Sequence, residues 1–234
     1  MFRAVGKVSA AVSLAALAVA IGGAPCVGQS SAGQPGAAQP KKSAFNVIYN
    51  FAGSDGGSPF ASLVQDAAGN SFGTTIAGGA GTGGTVFKLA PNGSETVLYA
   101  FTDGTDGGIP YSRLVQDQAG NLYGTTFSGG FHTCNCGVVF EISPSGQETV
   151  LHTFLGGTDG ATPYSGLTFD KKGNLYGTTN AGGGACNCGT VYKIAPDGTE
   201  TILHDFAGGS DGAFPFYNSQ VTVDRRGNLY GVTY

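Results

Sequence analysis

Gly120-Asn121-Leu122-Tyr123-Gly124-Thr125-Thr126 is the stretch that decides the fold, because it occurs four times. Its copies begin at Gly69 (Gly-Asn-Ser-Phe-Gly-Thr-Thr), Gly173 (Gly-Asn-Leu-Tyr-Gly-Thr-Thr) and Gly227 (Gly-Asn-Leu-Tyr-Gly-Val-Thr). Successive Asn residues are 51, 53 and 54 positions apart. Self-similarity at a fixed period of this length marks an array of supersecondary units.

Working outward, a second signature follows each complete copy: Gly84-Thr85-Val86-Phe87-Lys88-Leu89, Gly137 to Ile142 and Gly189 to Ile194. A third is Glu95-Thr96-Val97-Leu98-Tyr99-Ala100-Phe101, Glu148 to Phe154 and Glu200 to Phe206, with a degenerate first copy at Phe45 to Phe51. A fourth runs from Pro59, Pro110, Pro163 and Pro215 to Asp66, Asp117, Asp170 and Asp224. Each is a short run of β-branched and aromatic residues bounded by Gly, Pro, Asn or Asp, which predicts a strand. Pro91-Asn92-Gly93 and its copies, and Asp66-Ala67-Ala68-Gly69-Asn70 and its copies, predict hairpin turns.

Four antiparallel strands per repeat predict an all-β, β-propeller-like array over 45–234, with about 3.75 blades present. A two-sided solenoid is the competing arrangement. Small residues flank the aromatic of the first signature, so Tyr-Gly-Thr-Thr is expected as the innermost strand. Fifteen strands are expected, one short of four blades, and the chain reads as ending inside a repeat.

Composition agrees. Of 234 residues 42 are Gly, only 11% are charged and 11% are aromatic. Disordered chains lack such aromatic content, and collagen needs a strict Gly period. The net charge of −4 argues against a nucleic-acid binder.

Residues 1–27 read as a secretory signal, with Arg3 and Lys7 preceding the uncharged run Ala10 to Ile21, too short to span a bilayer. Cys26 raises a lipoprotein reading, opposed by Pro25. Residues 28–44 are Gly, Ser, Ala, Gln and Pro, a flexible linker. Without the leader the balance is nine basic against fifteen acidic residues, or −6, so no membrane insertion of the mature chain is expected. The expected location is secreted or cell-surface.

Cys134-Asn135-Cys136 and Cys186-Asn187-Cys188 sit in the loop between the first and second strands. An exported protein meets an oxidising compartment, so disulfides are expected. Closure within each loop is the favoured connectivity. Cross-loop bonds, free thiols and a tetrathiolate zinc site are the alternatives. Asp55, Asp106, Asp159 and Asp211 occupy equivalent Asp-Gly turns, where a turn role outweighs calcium binding. His152 and His204 align with Tyr99 and Tyr49, which suits packed strand residues better than catalysts; His132 stands alone. The recurring Tyr and Phe suit a blade-interface core better than a sugar-stacking platform. No nucleophile elbow, zinc-protease helix or phosphate loop is present.

The three leading signatures in order resemble the GloVer tandem-repeat family of bacterial exported proteins, also called choice-of-anchor tandem-repeat proteins, over 45–234. The resemblance implies export and, in many members, a C-terminal surface anchor. It implies no activity, cofactor or catalytic residue. The Asp-x-x-Gly-Asn-Leu-Tyr turn is also similar to that of NHL-type propellers. The expected function is a non-enzymatic scaffold displaying loops to an extracellular protein or glycan ligand. A carbohydrate-active propeller enzyme and a purely structural array are the alternatives.

Overall fold

The computed structural model describes residues 3–4, 46–130, 133–216 and 220–234. The linker and the rest of the expected leader, with Cys26, lie outside the described residues. Within that leader, strand β1 (Arg3–Ala4) pairs in parallel with the last strand of the chain.

The first blade holds β2 (Gly57–Pro59), β3 (Val64–Gln65), β4 (Ser71–Ala77), β5 (Thr85–Leu89) and β6 (Glu95–Ala100). The second holds β7 (Val115–Gln116), β8 (Leu122–Thr125), β9 (Val138–Ile142) and β10 (Glu148–Thr153). The third holds β11 (Thr168–Phe169), β12 (Leu175–Thr179), β13 (Thr190–Ile194) and β14 (Glu200–Asp205). The fourth contains β15 (Thr222–Val223) and β16 (Leu229–Gly231), beside which lies β1. Among the described residues, apart from β1, all strand pairings are antiparallel, and each full blade runs fourth, first, second, third signature. The chain is an all-β, propeller-like array of four-stranded sheets.

The hairpins between second and third signatures and those between fourth and first close the same way. Ala90 N–H donates to Ser94 O and Gly93 N–H to Ala90 O, with Gly93 at φ +84°. Asp66, Asn70 and Gly69 repeat this pattern between β3 and β4. The left-handed position is why Gly occupies it in every copy. In the second hairpin type an Asp carboxylate ties the turn together. Asp170 accepts from Lys172 N–H, from both Asn174 nitrogens and from Tyr176 Oη. The Asp, Asn and Tyr of the recurring motif are thus one hydrogen-bonded unit.

Three strand expectations need correction. Residues 46–52 form no strand, because no second-signature strand precedes them to supply a ladder. Their rings still pack as a third strand would, Phe51 edge-on to Phe87 at 4.9 Å. The fourth signature is not one strand. In the first blade its Pro59 ends β2, paired to Thr75, and β3 follows separately; in the second and third blades a bridge two residues before the Pro (Gly108 to Ser128, Ala161 to Ala181) is followed only by a two-residue strand. Proline lacks the ladder N–H, and the preceding residues Ser58, Ile109, Thr162 and Phe214 sit at positive φ, so the strand is interrupted.

Tyr-Gly-Thr-Thr is not the innermost edge either, since the short fourth strand flanks it. Its glycine has another cause. Gly124 faces Phe140 across the ladder, and a Cβ there would stand 2.6 Å from Phe140 Cζ and 3.0 Å from Leu114 Cδ2. The ring lies over bare backbone; Gly73 under Phe87 and Gly177 under Tyr192 repeat the arrangement.

The cores lie between blades. Phe101 follows β6 yet packs on Phe140 of the second blade at 5.0 Å, and Phe154 meets Tyr192 of the third at 5.1 Å. Phe101, Phe140, Phe154 and Tyr192 are all fully buried; each of the three Phe contributes about 1.5–3 kcal/mol, whereas the Tyr192 hydroxyl is buried without a hydrogen-bond partner. Buried threonines satisfy their hydroxyls locally, as Thr75 with Thr85 at 2.8 Å and Thr179 with Thr190 at 2.9 Å. The four rings Phe101, Phe140, Phe154 and Tyr192 therefore serve the blade interfaces. Phe60, Tyr111, Tyr164 and Phe216 also touch in series, with Phe60 and Phe216 exposed.

Candidate functional site

The turns between the fourth and first signatures differ in one respect. Asp66 and Asp117 are followed by Ala67-Ala68 and Gln118-Ala119, but Asp170 and Asp224 by Lys171-Lys172 and Arg225-Arg226. The common fold sets equivalent turns side by side on neighbouring blades. Lys171, Lys172, Arg225 and Arg226 therefore line one cleft of about 680 Å³, together with Phe169, Tyr176, Val223 and Lys193. Five of the chain's eleven Lys and Arg face this space.

The corresponding cleft between the first and second blades has Lys88 as its only lining cation, and that between the second and third has Lys171 and Lys172 opposed by Glu141. The two acids in the basic cleft are engaged by their own turns. Asn228 Nδ2 and N–H, Arg226 N–H and Tyr230 Oη all donate to Asp224, and these bonds, the Asn228 side chain first, hold its carboxyl below the usual range. Burial raises Asp170, but the bonds from Asn174, Lys172 and Tyr176 outweigh it and the net shift is downward. The cleft presents cations on a rigid frame, with Tyr176 among its lining residues. That arrangement suits an anionic ligand.

The residues singled out from sequence fall elsewhere. Cys134 joins Cys136 and Cys186 joins Cys188, each within its own loop. Asn135 and Asn187, at positive φ, turn their side-chain oxygens to Gly129 and Gly182 N–H. His132 lies outside the described residues.

Asp55, Asp106, Asp159 and Asp211 each cap their turn and hold the third-signature aromatic or histidine. Tyr49 donates to Asp55 at 2.5 Å and Tyr99 to Asp106 at 3.1 Å. His152 Nε2 stands 3.2 Å from Asp159, and His204 Nε2 3.1 Å from Asp211. A β-bulge at Leu98, Leu151 and Leu203 aims these side chains at the turn.

Sequence reading missed a third member. Glu95, Glu148 and Glu200, which open the third-signature strands, bring a carboxylate to Asp55, Asp106 and Asp159 respectively. Burial and the facing Asp push Glu148 up to about 7 and Glu200 up to about 8. Glu95 Oε1, Glu148 Oε1 and Glu200 Oε1 are all buried without a hydrogen-bond partner. The invariance of this Glu across repeats was the available signal; its distance of about forty residues from the Asp concealed the pairing.

Among the described residues no helix is long and apolar enough to cross a membrane. A family model described as the Gloeobacter/Verrucomicrobia repeat matches residues 26–234. No curated protein matches the chain. Among solved structures, the chain is similar to a candidate gluconolactonase at 16% identity and a TM-score of 0.45, covering 71% of this chain and 55% of that one. It is similar to the extracellular domain of a candidate one-component system from B. thetaiotaomicron at 16% identity and a TM-score of 0.48, covering 74% and 20%. A candidate oxidoreductase of glucose dehydrogenase type from Thermus thermophilus gives 15% identity and a TM-score of 0.43, covering 74% and 57%. The chain spans between 20% and 57% of the length of these three structures.

Proposed function

Since the chain belongs to the Gloeobacter/Verrucomicrobia repeat family, whose shared motifs here serve the fold, we propose that its function resides where its repeats differ, in the basic cleft between the third and fourth blades. The protein is an exported, non-enzymatic scaffold, and its ligand is an acidic extracellular glycan bearing uronate or sulfate groups. The observation that carries this reading is the gathering of Lys171, Lys172, Lys193, Arg225 and Arg226 in one cleft of a chain with net charge −4. Acid excess elsewhere disfavours long nucleic acids, whereas a glycan chain threads a local cationic groove with a Tyr in its lining. The paired cysteines fit an extracytoplasmic location.

Affinity electrophoresis in polygalacturonate against neutral dextran tests the reading. The protein should be retarded by the polyanion alone, and retardation should fade with salt. A variant with Lys171, Lys172, Arg225 and Arg226 all changed to Ala should migrate freely. Equal retardation of parent and variant, or none for the parent at low salt, refutes the assignment. Recovery of the chain from the cell envelope or medium, with a cleaved N-terminus, tests export.

A further inference from the structure

The junction between the second and third blades differs from the one before it by a single ligand atom. Between the first and second blades, Tyr99 donates to Asp106 while Glu148 closes from the next blade. Between the second and third, His152 of β10 replaces the phenol, Asp159 occupies the turn, and Glu200 of β14 closes from the third blade. His152 Nε2 is 3.2 Å from Asp159 Oδ1 and 3.7 Å from Glu200 Oε1, and one donor atom from each residue lies within 4.8 Å of the other two.

Donors bound tetrahedrally at about 2.0–2.2 Å from zinc stand about 3.3–3.6 Å apart. The His152 distances bracket that spacing. Glu200 Oε1 is out of solvent and within hydrogen-bond distance of no donor; His152 Nε2 stands 3.7 Å from it and Asp159 faces the carboxyl. Two carboxylates held together in partial burial need either a shared proton or a cation. Imidazole nitrogen supplies the third, borderline-soft donor that selects a transition ion over calcium. The side chains remain 17%, 18% and 13% exposed, so an ion has a route in and water has room for a fourth position.

We propose that His152, Asp159 and Glu200 form a zinc-type divalent metal site that staples the second blade to the third. His152 and Asp159 come from one blade and its exit turn, and Glu200 from the next, so the bound ion bridges two sheets joined otherwise by packing and the chain itself. The Tyr99 junction lacks the nitrogen and serves as the built-in comparison. The site is separate from the basic cleft, and its test reads neither glycan binding nor export.

The experiment is equilibrium dialysis of the tag-free full chain against zinc chloride, with bound metal counted by mass spectrometry and Tm measured with and without zinc. One zinc per chain and a zinc-dependent rise in Tm are expected. His152→Tyr, which restores the residue of the preceding junction, and Glu200→Gln, which keeps shape and removes charge, should each weaken binding by about 10-fold or more. His204→Tyr should leave it unchanged. No retained zinc in the parent overturns the proposal. So does undiminished binding in either His152→Tyr or Glu200→Gln, or loss of binding in His204→Tyr.

Discussion

Changing Gly124 to Ala adds one methyl group at a point where the fold has no room for it. Its Cβ would lie 2.6 Å from Phe140 Cζ, 3.0 Å from Leu114 Cδ2 and 3.1 Å from Phe140 Cε1. Phe140 is 0% exposed and Leu114 1%, so neither can swing into solvent. The ring must slide toward Phe101, which already touches it at 5.0 Å, and the strain spreads into the interface between the first two blades. Overpacking of this kind costs about 1–3 kcal/mol. For a chain of this size that lowers Tm by roughly 2–4 °C per kcal/mol, or about 2–12 °C in all. Differential scanning fluorimetry and urea unfolding measure it. Gly184→Ala is the control, because its added carbon meets nothing within 4 Å and its φ is not left-handed; that variant should stay within about 0.5 kcal/mol of the parent. Trimming the ring supplies the second arm. Gly124→Ala combined with Phe140→Leu should cost less than the sum of the two single changes, by about 0.5–3 kcal/mol of coupling. Wild-type stability in Gly124→Ala, or strict additivity in the pair, refutes the reading of this glycine as the seat of a ring.

Glu148→Gln should alter how stability depends on pH. Burial and Asp106 raise the folded carboxyl to about 7 from 4.5, so its favourable contribution is complete below about pH 4.5 and is lost as pH rises through about 7. The Gln variant should therefore gain on the parent by about 1 kcal/mol near pH 8, after solvent screening reduces an upper bound of about 3; parallel pH–Tm curves would contradict this. Asp170→Ala removes the acceptor of four hydrogen bonds and should cost about 1–3 kcal/mol in urea unfolding. Because the folded pKa of Asp170 is depressed, the deficit relative to the parent should shrink as acid protonates this carboxyl below about pH 4. Mass spectrometry of the non-reduced protein should find Cys134–Cys136 and Cys186–Cys188 blocked to alkylation; modification of all four thiols would exclude the pairing.

The sequence carried the blades because each strand is delimited by residues with a fixed stereochemical task. Gly93, Gly146 and Gly198 mark one hairpin and Asp66, Asp117, Asp170 and Asp224 the other, and both are readable locally. Sheet order was less visible. Gly124 suggested crowding at an axis, but its neighbour is Phe140, sixteen positions away across a ladder. Ile109 at positive φ before Pro110 gave no local warning that the fourth strand breaks there. The candidate sites were hidden for the same reason. Lys171 and Arg225 belong to different repeats, as do Asp159 and Glu200, and only stacking brings them together. The clue was a departure at a repeat position for the basic turns and for His152, and a recurrence for the Glu, read in both cases by comparing copies rather than neighbours.

The apolar contacts sit between sheets instead of within them: Phe101 on Phe140, Phe154 on Tyr192. Cohesion in such an array accrues through nearest-neighbour couplings. Duplicating a unit of DNA inserts a module whose two sides already match their new neighbours, so copy number can drift by recombination while each copy stays free to diverge on its outward turns. Lineages with this grammar should vary in module count far more than in the Gly, Asp and Asn residues that fix the corners.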